Sequence, residues 1–375
     1  MIRSSPRSLA LLALGALLCS GRAGHAQATP ALLGQRAVPL RTNGPLLVLD
    51  ARGGIGQPGS ADARILVVQG SRVVRVLARG LPFPFSGGIA VSPHGRDVAY
   101  GEDRAGTVVT PARTDGLWLA PIAGGPVRRL VAPPHATQQN QLGIGPLAWS
   151  PDGTTLAYAV VIASDVAINP QRERALGLWL TSATRARPRE LITAVQLGIT
   201  EQGAASVTRL AWAPDGHTLV VSTFCSGAAG TAPCVLGVDT STRTVRTLVR
   251  GGQDADVSPL SGALAYTTSA GHGTTLWITA AHGQHPQALV RGVLASPVWS
   301  PDGHVIAFIT VTDGSPIRPM ASVLRTINVA TGQVRTVLDA TARGQTLLPA
   351  GSRFIVLAWG AAPATRASPP RQYTR

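Results

Sequence analysis

A turn of the form Trp-Ser-Pro-Asp-Gly returns again and again along this 375-residue chain, and such internal recurrence limits the fold more than any other feature. Leu147-Ala-Trp-Ser-Pro-Asp-Gly153 leads into Leu156-Ala-Tyr158, Leu210-Ala-Trp-Ala-Pro-Asp-Gly216 into Leu219-Val-Val221, and Pro297-Val-Trp-Ser-Pro-Asp-Gly303 into Ile306-Ala-Phe308. Weaker copies are Ala90-Val-Ser-Pro-His-Gly95 with Val98-Ala-Tyr100 and Asp256-Val-Ser-Pro-Leu-Ser-Gly262 with Leu264-Ala-Tyr266. A degenerate sixth copy is Leu347-Leu-Pro-Ala-Gly351 with Phe354-Ile-Val-Leu357. The marker prolines Pro93, Pro151, Pro214, Pro259, Pro301 and Pro349 are separated by 58, 63, 45, 42 and 48 residues. The shorter steps match the roughly 40–45 residues of a four-stranded propeller blade, and the longer ones imply insertions.

The turn has a physical logic. Pro93, Pro151, Pro214, Pro259 and Pro301 fix φ at the first central position of a type I turn, and Asp152, Asp215 and Asp302 suit the next. Gly153, Gly216 and Gly303 supply the left-handed residue that returns the chain to a strand. The Trp before the turn ends an inner strand, and alternation such as Thr155-Leu-Ala-Tyr-Ala-Val160 has the period of two expected after it. A third strand follows as Gly116-Leu-Trp-Leu119, Gly177-Leu-Trp-Leu180 or Thr275-Leu-Trp-Ile278. A fourth follows as Val127-Arg-Arg-Leu-Val131, Val245-Arg-Thr-Leu-Val249 or Val334-Arg-Thr-Val-Leu338.

These motifs give the chain a resemblance to the repeats of TolB and its WD-repeat-like relatives over most of residues 45–360. The resemblance implies an all-β fold, a six-bladed β-propeller of four-stranded antiparallel blades. It does not extend to the separate N-terminal domain of TolB, for which 27–44 is too short, and there is no room for the hydrolase domain of prolyl oligopeptidase relatives. The last motif leaves two strands before the tail, whereas residues 45–79 hold strand-like Leu46–Asp50, Ile65–Val68 and Val73–Leu77 without a turn motif. N- and C-terminal strands are therefore expected to share one blade and close the ring, removing open edges.

The expected organisation is a signal peptide over 1–26, a linker over 27–44, the propeller over 45–360 and a disordered tail over 361–375. Arg3 and Arg7, the apolar run Leu9–Leu18 and the small residues around Ala26 form an export signal, implying a periplasmic or secreted protein. That run is shorter than the roughly 20 residues of a membrane-spanning helix. Cys19 raises a lipid anchor as a second reading, and Leu18, where lipoprotein processing wants a small residue, weighs against it. Cys225 and Cys234 remain as a pair in an oxidising compartment and are expected to form a disulfide.

Of 33 basic residues every one is Arg, against 18 acidic residues. The absence of Lys excludes P-loop nucleotide binding, Schiff-base chemistry and Ser-Lys catalysis. The arginines read as scattered, which suits solubilised outer strands better than a nucleic-acid stripe. Gly54-Ile-Gly-Gln-Pro-Gly59 fits the dinucleotide pattern, but Pro58 and a following strand replace the required helix. His94, His217 and His304 sit at the turns without metal-ligand spacing, and Asp152, Asp215 and Asp302 repeat with the blades as turn formers do. Trp118, Trp149, Trp179, Trp212, Trp277 and Trp299 repeat likewise and read as core. No catalytic set, cofactor site or metal site emerges.

Up-and-down strands put the turn motifs on one face and the insertions 80–88, 101–115, 132–146, 161–176, 194–207 and 311–322 on the other. Loops on a rigid scaffold carry function, so the second face is the candidate binding surface. Its candidates are Phe83, Phe85, Asp103, Arg104, Gln138, Asn140, Asp165, Asn169, Arg172, Asp313 and Arg318. The reading is a monomeric, non-catalytic scaffold whose partner is a protein or a cell-envelope polymer. The alternative is a carbohydrate-active lyase or hydrolase over the channel, which three or more acidic or His side chains converging at one mouth would favour.

Overall fold

The computed structural model describes residues 43–51, 63–81, 88–104, 113–122, 126–132, 142–162, 174–198, 207–227, 230–270, 273–292, 294–311, 322–339 and 353–361. The expected signal peptide, most of the linker and the tail lie outside them, as do Cys19 and the Gly54–Gly59 motif.

Among the described residues every regular element is a strand, and these strands form six antiparallel sheets of four. Blade 1 is β4 (Ile89–Val91), β5 (Asp97–Arg104), β6 (Arg113–Pro121) and β7 (Arg128–Val131). Blade 2 is β8 (Leu142–Trp149), β9 (Thr155–Ile162), β10 (Arg174–Ser182) and β11 (Arg189–Thr193). Blade 3 is β12 (Arg209–Trp212), β13 (Thr218–Gly227), β14 (Gly230–Asp239) and β15 (Val245–Arg250). Blade 4 is β16 (Gln253–Val257), β17 (Ala263–Ala270), β18 (Gly273–Ala281) and β19 (Gln287–Gly292). Blade 5 is β20 (Leu294–Trp299), β21 (Val305–Val311), β22 (Ser322–Asn328) and β23 (Val334–Asp339). Blade 6 orders its strands as β24 (Arg353–Ala361), β1 (Asn43–Ala51), β2 (Ala63–Gln69) and β3 (Arg72–Leu81).

The closing blade refines the expectation. One C-terminal strand, not two, joins three N-terminal strands, with β1 pairing β24 from Asn43↔Ala361 to Ala51↔Arg353. Pro349 thus precedes the inner strand instead of following it. Val356 sits opposite Val48, and the second strand of this blade is β1 from the N-terminal side, where in the other blades a turn motif leads directly from the first strand to the second.

Apolar side chains on both faces of each sheet leave no blade able to shelter its core alone. They gather in six clusters, each shared by two neighbouring blades. Leu178 and Leu191 of blade 2 meet Leu219 and Leu236 of blade 3. Leu66 and Val48 of blade 6 meet Ile309 and Leu324 of blade 5, while Leu47 and Ile65 meet Ile89 and Val98 of blade 1. Blade 6 is therefore packed from both sides, and the ring is closed by burial as well as by hydrogen bonds.

Each motif turn is tied internally. Gly153 and Gly303 have φ of +69° and +67°, and each donates its N–H to the carbonyl three residues back, Ser150 at 2.9 Å and Ser300 at 2.8 Å. Asp215 Oδ1 accepts the N–H groups of His217 and Thr218, both at 2.8 Å. Asp152 and Asp302 likewise accept from Thr154 and His304, each at 3.0 Å.

Candidate binding face and central channel

The innermost strands line a cavity of about 450 Å3 to which all six blades contribute, among them Val91, Leu147, Arg209, Asp254, Ser296 and Val356. Most of the lining is apolar. The charged exceptions cluster on β12 and β16, where Arg209, Asp254 and Asp256 come together.

Repeat position explains the cluster. Counting back from the residue before each turn, Pro146, Arg209, Asp254 and Ser296 are equivalent, and Ala148, Ala211, Asp256 and Val298 are equivalent one step nearer the turn. Blade packing brings these slots together although the sequence keeps them tens of residues apart. Arg209 Nη2 lies 3.8 Å from Asp256 Oδ1. Asp256 Oδ2 accepts the backbone N–H of Trp299 at 2.7 Å, holding a free inner-edge donor of blade 5. The Asp254 carboxylate accepts the N–H of Ser296. Asp254 and Ser296 both occupy the left-handed region, with φ of +53° and +54°, a conformation that non-glycine residues adopt rarely and that clusters at binding sites.

Burial raises both carboxyls above the ordinary aspartate range. The Arg209 guanidinium opposes that rise, as do the backbone N–H groups of Ser296 for Asp254 and of Trp299 and Val257 for Asp256. The channel thus holds two costly carboxylates and one cation. Among the described residues no three His, Cys, Asp or Glu side chains come together.

The two faces of the propeller differ. On the motif face every connection is short, the longest being 122–127 and 183–188. Its turns also touch. The His94 ring of blade 1 lies against Gly153 of blade 2, and Leu260 of blade 4 lies against Gly303 of blade 5. The opposite face carries 52–62, 82–88, 105–112, 132–141, 163–173, 194–208, 312–321 and 340–352. The connections 52–62 and 340–352 were not among the expected insertions, because the blade they serve lacks a clear turn motif. From the β13–β14 hairpin to β20 the connections on this face shorten to 228–229, 251–252, 271–272 and residue 293, and Arg209 and Asp254 lie at the start of their inner strands.

Of the expected binding residues, Phe83, Phe85, Gln138, Asn140, Asp165, Asn169, Arg172, Asp313 and Arg318 lie outside the described residues. Asp103 and Arg104 are the last two residues of β5, paired with Thr114 and Arg113. Cys225 and Cys234 form a disulfide with a Cα–Cα distance of 5.7 Å across the β13–β14 hairpin, where Thr223 faces Cys234. Five of the repeat tryptophans, Trp149, Trp179, Trp212, Trp277 and Trp299, serve packing between blades, whereas Trp118 lies by Arg129 of the outer strand. Trp149 and Trp299 are buried in the clusters between blades 1 and 2 and between blades 4 and 5. Sequence reading missed Arg209, Asp254 and Asp256; the available signal was charge at repeat slots that are apolar or small elsewhere. No helix among the described residues is long and apolar enough to cross a membrane.

No family model matches the chain, and no curated protein matches it in sequence. Solved structures do. TolB from Acinetobacter baumannii superposes with a TM-score of 0.57 at 13% identity, over 84% of this chain and 66% of that one. This chain therefore spans just under two thirds of that protein's length. Hydrazine synthase from Kuenenia stuttgartiensis gives 0.50 at 10% identity, over 85% of this chain and 47% of that one. Identities this low speak for architecture alone. The strand order, the shared cores and these superpositions together make the chain a six-bladed β-propeller with the fold that TolB also has.

Proposed function

We propose that this protein is an exported, non-catalytic binding scaffold that receives a protein or a cell-envelope polymer on the face bearing the long connections. The observation that carries the reading is the division between the faces. One is closed by short turns packed on each other; the other bears every long connection and opens on the Arg209, Asp254 and Asp256 group. A rigid ring holding variable loops is an economical way to present recognition residues. The disulfide and the basic, apolar and small-residue stretches at the N-terminus support export.

Site-specific photocrosslinking in the native envelope tests the assignment. A crosslinkable residue at 83, 165 or 313 is expected to capture one discrete partner, and one at 94 or 215 to capture none. Replacement of 163–173 by a two-residue turn is expected to weaken the capture. Equal capture from both faces refutes the reading. The mass of the secreted chain reports cleavage after Ala26 and the state of Cys19.

A further inference from the structure

The arginines that look scattered in the sequence are gathered by the fold. All six outermost strands present exposed arginine, among them Arg75 on β3, Arg129 on β7, Arg189 on β11, Arg250 on β15, Arg291 on β19 and Arg335 on β23. The same strands contain two acidic residues, Glu190 and Asp339, and no aromatic residue. Several acidic side chains are engaged elsewhere: Asp152, Asp215 and Asp239 in turns, Asp50 with Arg64, and Asp254 and Asp256 in the channel. The outermost strands thus carry an excess of positive charge that forms a belt around successive blades.

Three of the belt arginines, Arg128, Arg129 and Arg246, meet neutral partners. Arg128 donates to the carbonyl of Ala183 in the next blade, and Arg246 Nη2 stands 2.6 Å from His282 Nδ1 in the blade after its own. Arg129 lies 5.9 Å from the centre of the Trp118 ring. These contacts orient guanidinium groups without neutralising them.

We infer that this belt binds a flexible polyanion, a phosphate- or carboxylate-bearing polymer lying along the outer strands of successive blades. Charge complementarity argues for an anion, and guanidinium forks match phosphate and carboxylate oxygens in pairs. The arrangement around a ring argues for a flexible chain. A flat lipid surface reaches only the blades on one side, whereas a polymer can follow several. The absence of aromatic side chains from these strands leaves no stacking platform of the kind that single-stranded nucleic acid uses. The outer strands also offer unpaired backbone N–H groups along their free edges. This surface is separate from the long-connection face, and its test stands independently of that reading.

The test compares the whole protein with two variants of equal charge. One carries Arg189→Gln, Arg250→Gln and Arg291→Gln on three consecutive blades. The other carries Arg366→Gln, Arg371→Gln and Arg375→Gln near the C-terminus. Probes are inorganic polyphosphate, polygalacturonate, neutral dextran and phosphatidylglycerol vesicles. Binding of either polyanion, falling steeply with salt, supports the proposal, and the tighter one identifies the anion. The belt variant is expected to bind about tenfold more weakly, with the salt dependence reduced by about one counterion per arginine removed. The tail variant is expected to differ from the parent by less than about threefold on the same counterion argument. Equal losses in both variants overturn the inference, as does binding to vesicles but to neither polymer. Aggregation of the belt variant with unchanged polyanion affinity also overturns it, leaving the arginines as guards of exposed strand edges.

Discussion

Trp212 donates its indole N–H to the backbone carbonyl of Ala148 at 3.2 Å, so a side chain of blade 3 is tied by hydrogen bond to the inner strand of blade 2. Trp149 repeats the bond to Ala90 of blade 1, also at 3.2 Å. Trp299 occupies the same slot in blade 5, yet its buried indole nitrogen has no partner among the described residues. There the Asp256 carboxylate serves the edge instead, accepting the Trp299 backbone N–H.

Trp149→Phe and Trp299→Phe should therefore differ although both remove the same ring volume. The first also removes a hydrogen bond and is expected to cost about 1 kcal/mol more than the second. Chemical denaturation of both variants measures the difference; equal losses would show that the indole bond contributes nothing.

Breaking the Cys225–Cys234 bond frees a short hairpin loop in the unfolded chain. Cys225→Ser with Cys234→Ser is expected to lose about 2–3 kcal/mol, the scale for a ten-residue loop. Because Thr218–Asp239 pairs along its whole length, the hairpin should keep its register, and the loss should appear as a lower melting temperature without altered circular dichroism.

The channel and the turns should respond to pH with opposite sign. Burial raises the Asp254 carboxyl above its unfolded value of 3.8, so the protonated form favours the fold. That contribution is complete below the unfolded value and is lost as pH rises through the folded one. Asp254→Asn, which also tolerates the left-handed backbone, is expected to raise the melting temperature at pH 7, with the gain fading in acid. Asp239 is the reverse case. Hydrogen bonds from Ser241 and Thr242 hold its carboxyl below the ordinary range, so its contribution is present above 3.8 and disappears as pH falls through the lowered value. Asp239→Ala should cost stability at pH 7 and little in acid. Melting curves across pH for both variants check the signs.

Much of this architecture was legible because turn chemistry is local. The Pro-Asp-Gly turns announce themselves within five residues, and the short apolar runs Leu46–Asp50 and Ile65–Val68, buried on both faces, mark strands without any turn at all. The split of blade 6 was harder, since Leu347–Gly351 keeps only the Pro and Gly of the motif and lacks the Ser or Ala that precedes Pro in the other five copies. Arg209 and Asp256 were out of reach for a different reason. Their 3.8 Å approach depends on the rotation between blades, which no local pattern encodes. The arginine belt was hidden in the same way, one or two residues per repeat.

Deletion of residues 43–81 tests closure directly. It removes three strands of blade 6, uncovers the apolar partners of Leu47 and Leu66 on both sides, and leaves β24 without its neighbour β1. The truncated chain is expected to show no cooperative melt and to aggregate. A sharp, monomeric transition would mean that five blades suffice.

The position of β24 has a consequence for biogenesis. Of the described strands, β24 comes last in sequence yet lies nearest the axis, and the three it completes come before every other blade. Until residue 353 has been made those strands lack their inner neighbour, so a nascent chain halted before it is an unlatched clasp with an open strand edge.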